Sequence, residues 1–563
     1  MIYHCEDHTC NYWDEGEKLP ERCPQCGRKL LRANEADMTG DDWTALGNTL
    51  WDAEASDKKR MVDCFRKAAY LGSAWGVCNL GICMEQGNGV EADPVQAFWL
   101  YQQAVEMGSL NAVCCLGVCY EYGIGTAPDA EKAAELYCKA AEYGSPRGQM
   151  LLARAFHDGI GVEADAAEAV HWVRAAAYQR YGEGMYWLGV CYEYGDGVEQ
   201  NWEHAVHWFR EAAESGVSAA MTDLGYCYEK GCGVEQSWEQ AFSWYRRGAE
   251  CGYPVSMSNL GLCYKRGYGV EQNWQEAIKW YEQGAQCGDL QSMHNLARCY
   301  ERGEGVEQNE DRALYWYRRG AEAGSDYCMY CLGWNYSNGE GVEQNMTEAI
   351  RWYTAAAEGG NADAMHELGW HYDHGEGVEQ DMKKAICWYE RAAEQNHPAA
   401  MNSLGECYAM GRGVPRDLET AMEWYRRAAE LGEAMADYNM GWHLEQAGKL
   451  SEAYAHYRKA ADGNDDSAWW ALGRFYENGV VVAQDGKEAH RCYETGEKLG
   501  SVKCKMRLAR CKLLGIGGRR AKKAGLDLCR QALELAKESS EKEDYGYEAE
   551  MNLLRRTIAE NES

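Results

Sequence analysis

Apolar and small residues recur along this chain at a helical step, stop at paired glycines, and then resume the same step. Between residues 218 and 230 they fall at Ala220, Met221, Leu224, Cys227 and Tyr228, which places them on one helical face. Gly231-Cys-Gly233-Val-Glu-Gln follows, and glycine takes the left-handed backbone of a helix C-terminus at least cost. Ser237 then reads as an N-cap, a slot held in other units by Asn201, Asn273, Asn309, Asn345, Asp381 and Asp417. A second apolar face runs through Ala241, Trp244, Tyr245, Gly248 and Ala249, and Gly252 closes it. The pattern predicts helix–loop–helix, with no strand signal in the unit.

The unit returns every 36 residues, with anchors at Leu80, Leu116, Leu152, Leu188, Leu224, Leu260, Leu296, Leu332, Leu368, Leu404 and Met440. A fixed period of this size predicts an all-α solenoid. One hairpin cannot offset an ordering cost of roughly 1.5 kcal/mol per residue, so the units must stack. Gly225 and Ala249 let neighbouring helices approach closely, and Trp244 is expected to fill the space between repeats, as are Trp208, Trp280, Trp316 and Trp424. The Gly-x-Gly is not a dinucleotide fingerprint, which would have to follow a strand and open a helix. Here the glycines end a helix.

Ala219–Met221, Leu224-Gly225, Tyr228, Gly231, Gly233-Val234, Ala241, Trp244-Tyr245, Ala249 and Gly252 together resemble the SEL-one-like repeat, a relative of the tetratricopeptide repeat. The resemblance covers roughly residues 40 to 530, as about 14 helix–loop–helix units. It implies a right-handed α-solenoid superhelix and an adaptor role in protein complexes, and it brings no catalytic residue. Some secreted relatives carry a disulfide in each repeat, from the end of the second helix to a cysteine shortly before the next Leu-Gly. Cys251 and Cys287 have no such partner downstream, which counts against that subgroup and against secretion.

The pattern departs from itself at three places. The step from Met440 to Leu472 is 32, and Gln446-Ala-Gly448-Lys-Leu-Ser451 replaces the Gly-x-Gly-Val loop, a change expected to alter the local superhelical pitch. The first anchor, Leu46, lies 34 residues before Leu80. A last helix, about Tyr547 to Ala559, is expected to cap the exposed end. The expected organisation is a head at 1–32, the solenoid at 33–540 and a capping helix with tail at 541–563.

The head carries Cys5-x4-Cys10 and Cys23-Pro-Gln-Cys26-Gly. Paired cysteine knuckles hold tetrahedral zinc, and the second one resembles the zinc-ribbon and rubredoxin-type knuckle. The expectation is one structural zinc on Cys5, Cys10, Cys23 and Cys26, favoured over a site in which His4 or His8 replaces a cysteine. So short a segment has too little core to fold without metal. Iron fits the same ligands and would give an electron carrier. It ranks below zinc because no redox partner domain is visible.

Composition narrows the partners. The formal net charge of −32 opposes non-specific binding to nucleic acid or anionic lipid. No secretory signal and no membrane-spanning run is found, and abundant repeats with few prolines fit the cytoplasm of a bacterium, the expected setting. The 26 cysteines then read as thiols or metal ligands. Eight of them, Cys83, Cys119, Cys191, Cys227, Cys263, Cys299, Cys407 and Cys511, share one repeat position, where packing explains them.

In tetratricopeptide-type arrays the first helices line the concave face. Positions −2, −1, +2, +5 and +6 from each anchor are the expected lining. They yield a basic cluster, Lys265, Arg266, His294, Asn295, Arg298 and Arg302, and an aromatic one, Tyr330, Trp334, His366, Trp370, Asp373, His374, Tyr438 and Trp442. The expectation is a protein or peptide partner in this groove, its carboxylates at the arginines and its apolar side chains on the tryptophans. Arg302 has Glu301 and Glu304 as competing local partners. His366, His371 and His374 are close in sequence, but packed or solvated histidine outweighs a second metal site there. The rival reading is an enzyme, either a hydrolase on the array or a rubredoxin-like carrier. It needs a nucleophile beside a base in an irregular unit, and none is found. Nothing in the sequence sets the oligomeric state.

Overall fold

The computed structural model describes residues 2–5, 13–15, 30–32, 35–51, 55–542 and 547–562. It divides into two compact units, Met1–Ser292 and Met293–Ser563. Both are built from tandem helical repeats, so the chain is an all-α solenoid with a small strand-bearing head.

The 36-residue step has a simple anatomy. Helix Ser218–Lys230 has 13 residues, loop 231–237 follows, helix Trp238–Glu250 again has 13, and link 251–253 leads to helix Pro254–Arg266. Helices of 13 residues persist from Ala74–Gln86 through Val502–Leu514. The short unit keeps them too, as Ala434–Gln446 and Leu450–Asp462, and contracts only the loop, to 447–449. The step falls to 32 for that reason alone.

Caps set these boundaries. Gly231 takes φ 74° and donates its N–H to the Cys227 carbonyl. The Ser237 side chain accepts from the Gln240 N–H at 3.3 Å, and Asn201, Asn273, Asn309, Asn345, Asp381 and Asp417 cap in the same way. Gly233, at φ 69°, leaves no room for a side chain, since an added Cβ would lie 2.3 Å from the Trp202 carbonyl oxygen. The loop therefore presses on the start of the preceding repeat's second helix. Gly125, Gly161, Gly197 and Gly269 meet a carbonyl in the same way, and Gly517 does so in the second unit.

Every anchor leucine and the eight-cysteine column are buried. One expectation needs correction. The tryptophans do not form the central filling. Trp244 is buried, but Trp208, Trp280, Trp316 and Trp424 are only half-buried. The fully buried ring is the next residue, as at Tyr101, Tyr137, Tyr245, Tyr281, Tyr353, Tyr389, Tyr425 and Tyr493. It lies flat against the glycine of the same repeat's Leu-Gly, and a Cβ on Gly225 would stand 2.6 Å from the Tyr245 ring. The tryptophans lie outside this contact, and four of the five carry a cation, with Arg247 4.2 Å above Trp244 and Arg427 4.4 Å above Trp424.

The head contains strands that the repeat pattern gave no hint of. β1 (Ile2–Cys5), β2 (Trp13–Glu15) and β3 (Leu30–Arg32) form an antiparallel sheet in the order β2-β1-β3, and Cys5 pairs with Leu30. At the other end, helix Glu548–Glu562 takes the place of the expected cap. The Arg507 guanidinium there bridges Glu550 at 2.6 Å and Glu477 at 3.2 Å, and the Arg510 guanidinium also reaches Glu477. Among the described residues no helix is long and apolar enough to cross a membrane.

Candidate functional site

The first helices of successive repeats share a polar ladder that the sequence columns did not reveal. In six repeats a glutamate stands five residues after the anchor, and the buried tyrosine of the same repeat donates its O–H to it. Tyr101 donates to Glu85, Tyr137 to Glu121, Tyr245 to Glu229, Tyr317 to Glu301, Tyr457 to Glu445 and Tyr493 to Glu477, over 2.5 to 3.3 Å. Burial pushes the phenols at 101, 137, 245, 457 and 493 well above their usual range, so they stay protonated donors. In three repeats the carboxylate is also engaged by an arginine of the next repeat, two residues after its anchor. Arg154 reaches Glu121 at 2.5 Å, Arg474 reaches Glu445 at 2.8 Å, and Arg510 reaches Glu477. Where it holds these tyrosine-bonded carboxylates, the +5 column is interior support and not lining. Asp373, expected to line the groove, is only 4% exposed and is paired with Arg412 at 2.8 Å.

The +2 column is the one that changes character. In the second unit it holds Trp334, Trp370 and Trp442, whereas three other repeats hold the ladder arginine there, at Arg154, Arg474 and Arg510. Trp334 is 41% exposed and Trp442 38%. Trp370 is half-buried, with the His374 ring stacked on it at 4.4 Å and the His374 Nδ1 2.9 Å from the Trp370 carbonyl. Tyr330 packs on Tyr353 at 5.9 Å and Tyr438 on Tyr457 at 5.6 Å, so both are half-buried supports. His366 is also half-buried, stacked 5.2 Å from His397. Between Trp370 and Trp442 the column carries Glu406, which Arg412 at 3.8 Å and Asn439 at 3.2 Å hold in a polar knot.

The basic cluster divides between the two units. Lys265 and Arg266 belong to the first, where Lys265 lies 5.1 Å above the Trp274 ring and Arg266 is exposed. Arg298 and Arg302 belong to the second. Arg298 is half-buried, and Arg302 is exposed with Glu301 at 4.0 Å. His294 is buried and Asn295 half-buried.

Sequence reasoning passed over Tyr226 and Leu262, which occupy the +2 column in the first unit at 43% and 36% exposure. The column itself was the signal, and reading it through every repeat would have found them. The three neighbouring histidines do not converge on a ligand. His371 is buried with its Nδ1 3.0 Å from the Glu376 carbonyl, and burial holds its pKa below the usual value. Among the described residues no group of three or more His, Cys, Asp or Glu side chains could hold a metal. Cys10, Cys23 and Cys26 lie outside the described residues, and Cys5 is described only as the last backbone position of β1.

Comparison with known proteins fits this architecture. The Sel1 repeat model matches twelve times, at 76–109, 112–145, 146–181, 182–217, 218–253, 254–289, 290–325, 326–361, 362–397, 398–433, 434–465 and 468–501. Among solved structures, a protective antigen of uropathogenic Escherichia coli strains, described as displaying an SLR fold, is 29% identical over 89% of this chain and 94% of its own, with a TM-score of 0.50. A Sel1 repeat protein from Oxalobacter formigenes is 32% identical over 43% of this chain and 96% of its own, with a TM-score of 0.40. Comparison with curated proteins gives no match.

Proposed function

The chain belongs to the Sel1 repeat family, and from that premise we propose that it is a non-enzymatic scaffold that holds an extended peptide along the first helices of its second unit. Sel1 repeat proteins are in general protein-interaction scaffolds. The observation that carries the finer reading is the +2 column. Of the four arginines that stand there, those at 154, 474 and 510 are each consumed by a glutamate of the preceding repeat, and Arg298 has Lys265 in that place. Where tryptophan stands there, at 334, 370 and 442, the position carries no charge, and two of the three residues are exposed. Large flat rings of this kind give contact area at low entropic cost. Apolar side chains of the partner rest on Trp334 and Trp370, over the support of Tyr330, His366 and His374. Its carboxylates meet Arg298 and Arg302 at the concave surface. Trp442 and Tyr438 offer a further station past the polar knot. The −32 net charge favours a protein over nucleic acid or an anionic membrane. Lys265 and Arg266 are offered as a separate basic patch on the first unit.

The test is a pull-down from the native cell with crosslinking and mass spectrometry, repeated with Trp334→Ala/Trp370→Ala. The double variant is expected to lose the partner while its circular dichroism is unchanged. Undiminished recovery would refute the placement.

For the head, we propose one structural zinc held by Cys5, Cys10, Cys23 and Cys26. The support is the cysteine spacing in the sequence, together with the backbone pairing of Cys5 with Leu30, four residues beyond Cys26 in the chain. Four thiolates leave no open coordination position, so the metal would organise the fold and take no part in chemistry. Elemental analysis after reducing purification is expected to find about one zinc per chain. Finding iron, or no metal, would overturn the assignment.

A further inference from the structure

Three cysteines gather at the −2 and −1 positions of two successive first helices in the first unit. Cys78 lies on helix Ala74–Gln86, and Cys114 and Cys115 lie on helix Leu110–Tyr122. The sulfurs of Cys78 and Cys115 are each hydrogen-bonded to one of two side chains that are themselves bonded to each other. Arg147, from the next first helix, donates to the Cys115 sulfur at 3.6 Å and to Asn111 Oδ1 at 2.9 Å, and Asn111 Nδ2 donates to the Cys78 sulfur at 3.9 Å. One guanidinium and one amide thus clamp a pair of sulfurs. Arg147 is itself exposed, while Cys78 and Cys115 are buried. No other pair of successive repeats carries cysteine at these positions.

We propose that Cys78 and Cys115 form a peroxide-responsive dithiol, a modification site that closes to a disulfide between the first helices of adjacent repeats. The cation and the Cys78 S–H both favour the charged form of Cys115, whose pKa is drawn down by the Cys78 hydrogen bond and by Arg147 against the effect of burial. Cys78 keeps its proton. In the first step the Cys115 thiolate attacks one oxygen of hydrogen peroxide. The S–O bond forms, the O–O bond breaks, hydroxide departs, and Cys115 becomes a sulfenic acid. In the second step the Cys78 sulfur attacks the sulfenic sulfur. The S–S bond forms, the S–O bond breaks, and the leaving hydroxide takes up the Cys78 proton as water. Overall two thiols lose two electrons and two protons, and one peroxide becomes two waters. A small dithiol reverses the reaction by exchange.

The experiment treats the reduced full-length protein with stoichiometric hydrogen peroxide, blocks free thiols, and digests after glutamate without reduction. Cleavage at Glu85, Glu91 and Glu106 separates the two cysteines, and fragmentation distinguishes them from Cys83, Cys114 and Cys119. The expected result is a Cys78–Cys115 cross-link that dithiothreitol removes. In Cys78→Ser, Cys115 should accumulate as a dimedone-reactive sulfenic acid, and Arg147→Met should form the link at least threefold more slowly. The proposal is overturned if the exposed Cys251, Cys287 and Cys387 oxidise while Cys78 and Cys115 stay reduced. It is equally overturned if Cys115 goes to sulfinic acid in the intact protein without ever linking.

Discussion

At Gly405 a single hydrogen decides whether two helices can meet. A Cβ there would stand 2.5 Å from the Tyr425 ring, and Tyr425 is 1% exposed with nowhere to retreat. Gly405→Ala is expected to destabilise the second unit by about 1–3 kcal/mol, the usual cost of overpacking a filled core. A matched change at Gly432, where an added Cβ meets nothing within 4 Å, reports only the φ of 92°. Differential scanning calorimetry of the two variants separates contact from backbone strain. The same contact shows what the sequence hid. Trp244 and Tyr245 are adjacent, both aromatic, and both on the edge of one apolar face, so periodicity alone could not choose the inward ring. The inward ring fills the space over Gly225, and as a tyrosine it also reaches Glu229 from inside, whereas Phe209 fills the same place over Gly189 with no hydroxyl. The tryptophan has no such acceptor and takes the outer edge under Arg247.

Helices, caps and loops were legible because each depends on neighbours in sequence. Asn or Ser before the second helix and glycine after the first act within one turn. The ladder was not legible, because its partners come from three elements, a carboxylate on one first helix, a phenol on the second helix and an arginine on the next first helix. At the C-terminal end the ladder is also titratable. Burial raises the Glu477 pKa, but the Tyr493 hydrogen bond and the Arg507 and Arg510 guanidinium groups outweigh it, so the folded value lies below the ordinary 4.5. A carboxylate with a depressed folded pKa contributes its full stability above the unfolded value and loses it as pH falls through the folded one. The thermal midpoint of the second unit should therefore hold down to about the ordinary glutamate value and drop below it. Glu477→Gln should lower the midpoint at neutral pH and flatten that acid-side slope. An identical slope in the variant would remove Glu477 from the account.

Repeat chains are held by neighbours, each hairpin resting on the one before and the one after. The legibility of the candidate site follows from the same fact. Columns read across repeats located Trp334, Trp370 and Trp442, because every first helix presents the same stations. They misplaced Asp373, because the partner that buries it, Arg412, lies in the loop of the next repeat. That loop matters in a further way. In seven-residue loops the second glycine bears on the second helix of the preceding repeat, as Gly413 does on Met382 and Ile386. The contracted loop 447–449 has no such strut, since Gly448 has nothing within 4 Å of an added Cβ and Lys449 caps the next helix without a side-chain bond. The array therefore carries a built-in tear line. Brief trypsin treatment of the native protein is expected to cut first after Lys449 and to release two fragments that stay helical, like a zip parting at its one missing tooth. Primary cleavage within a seven-residue loop would show the strut to be idle.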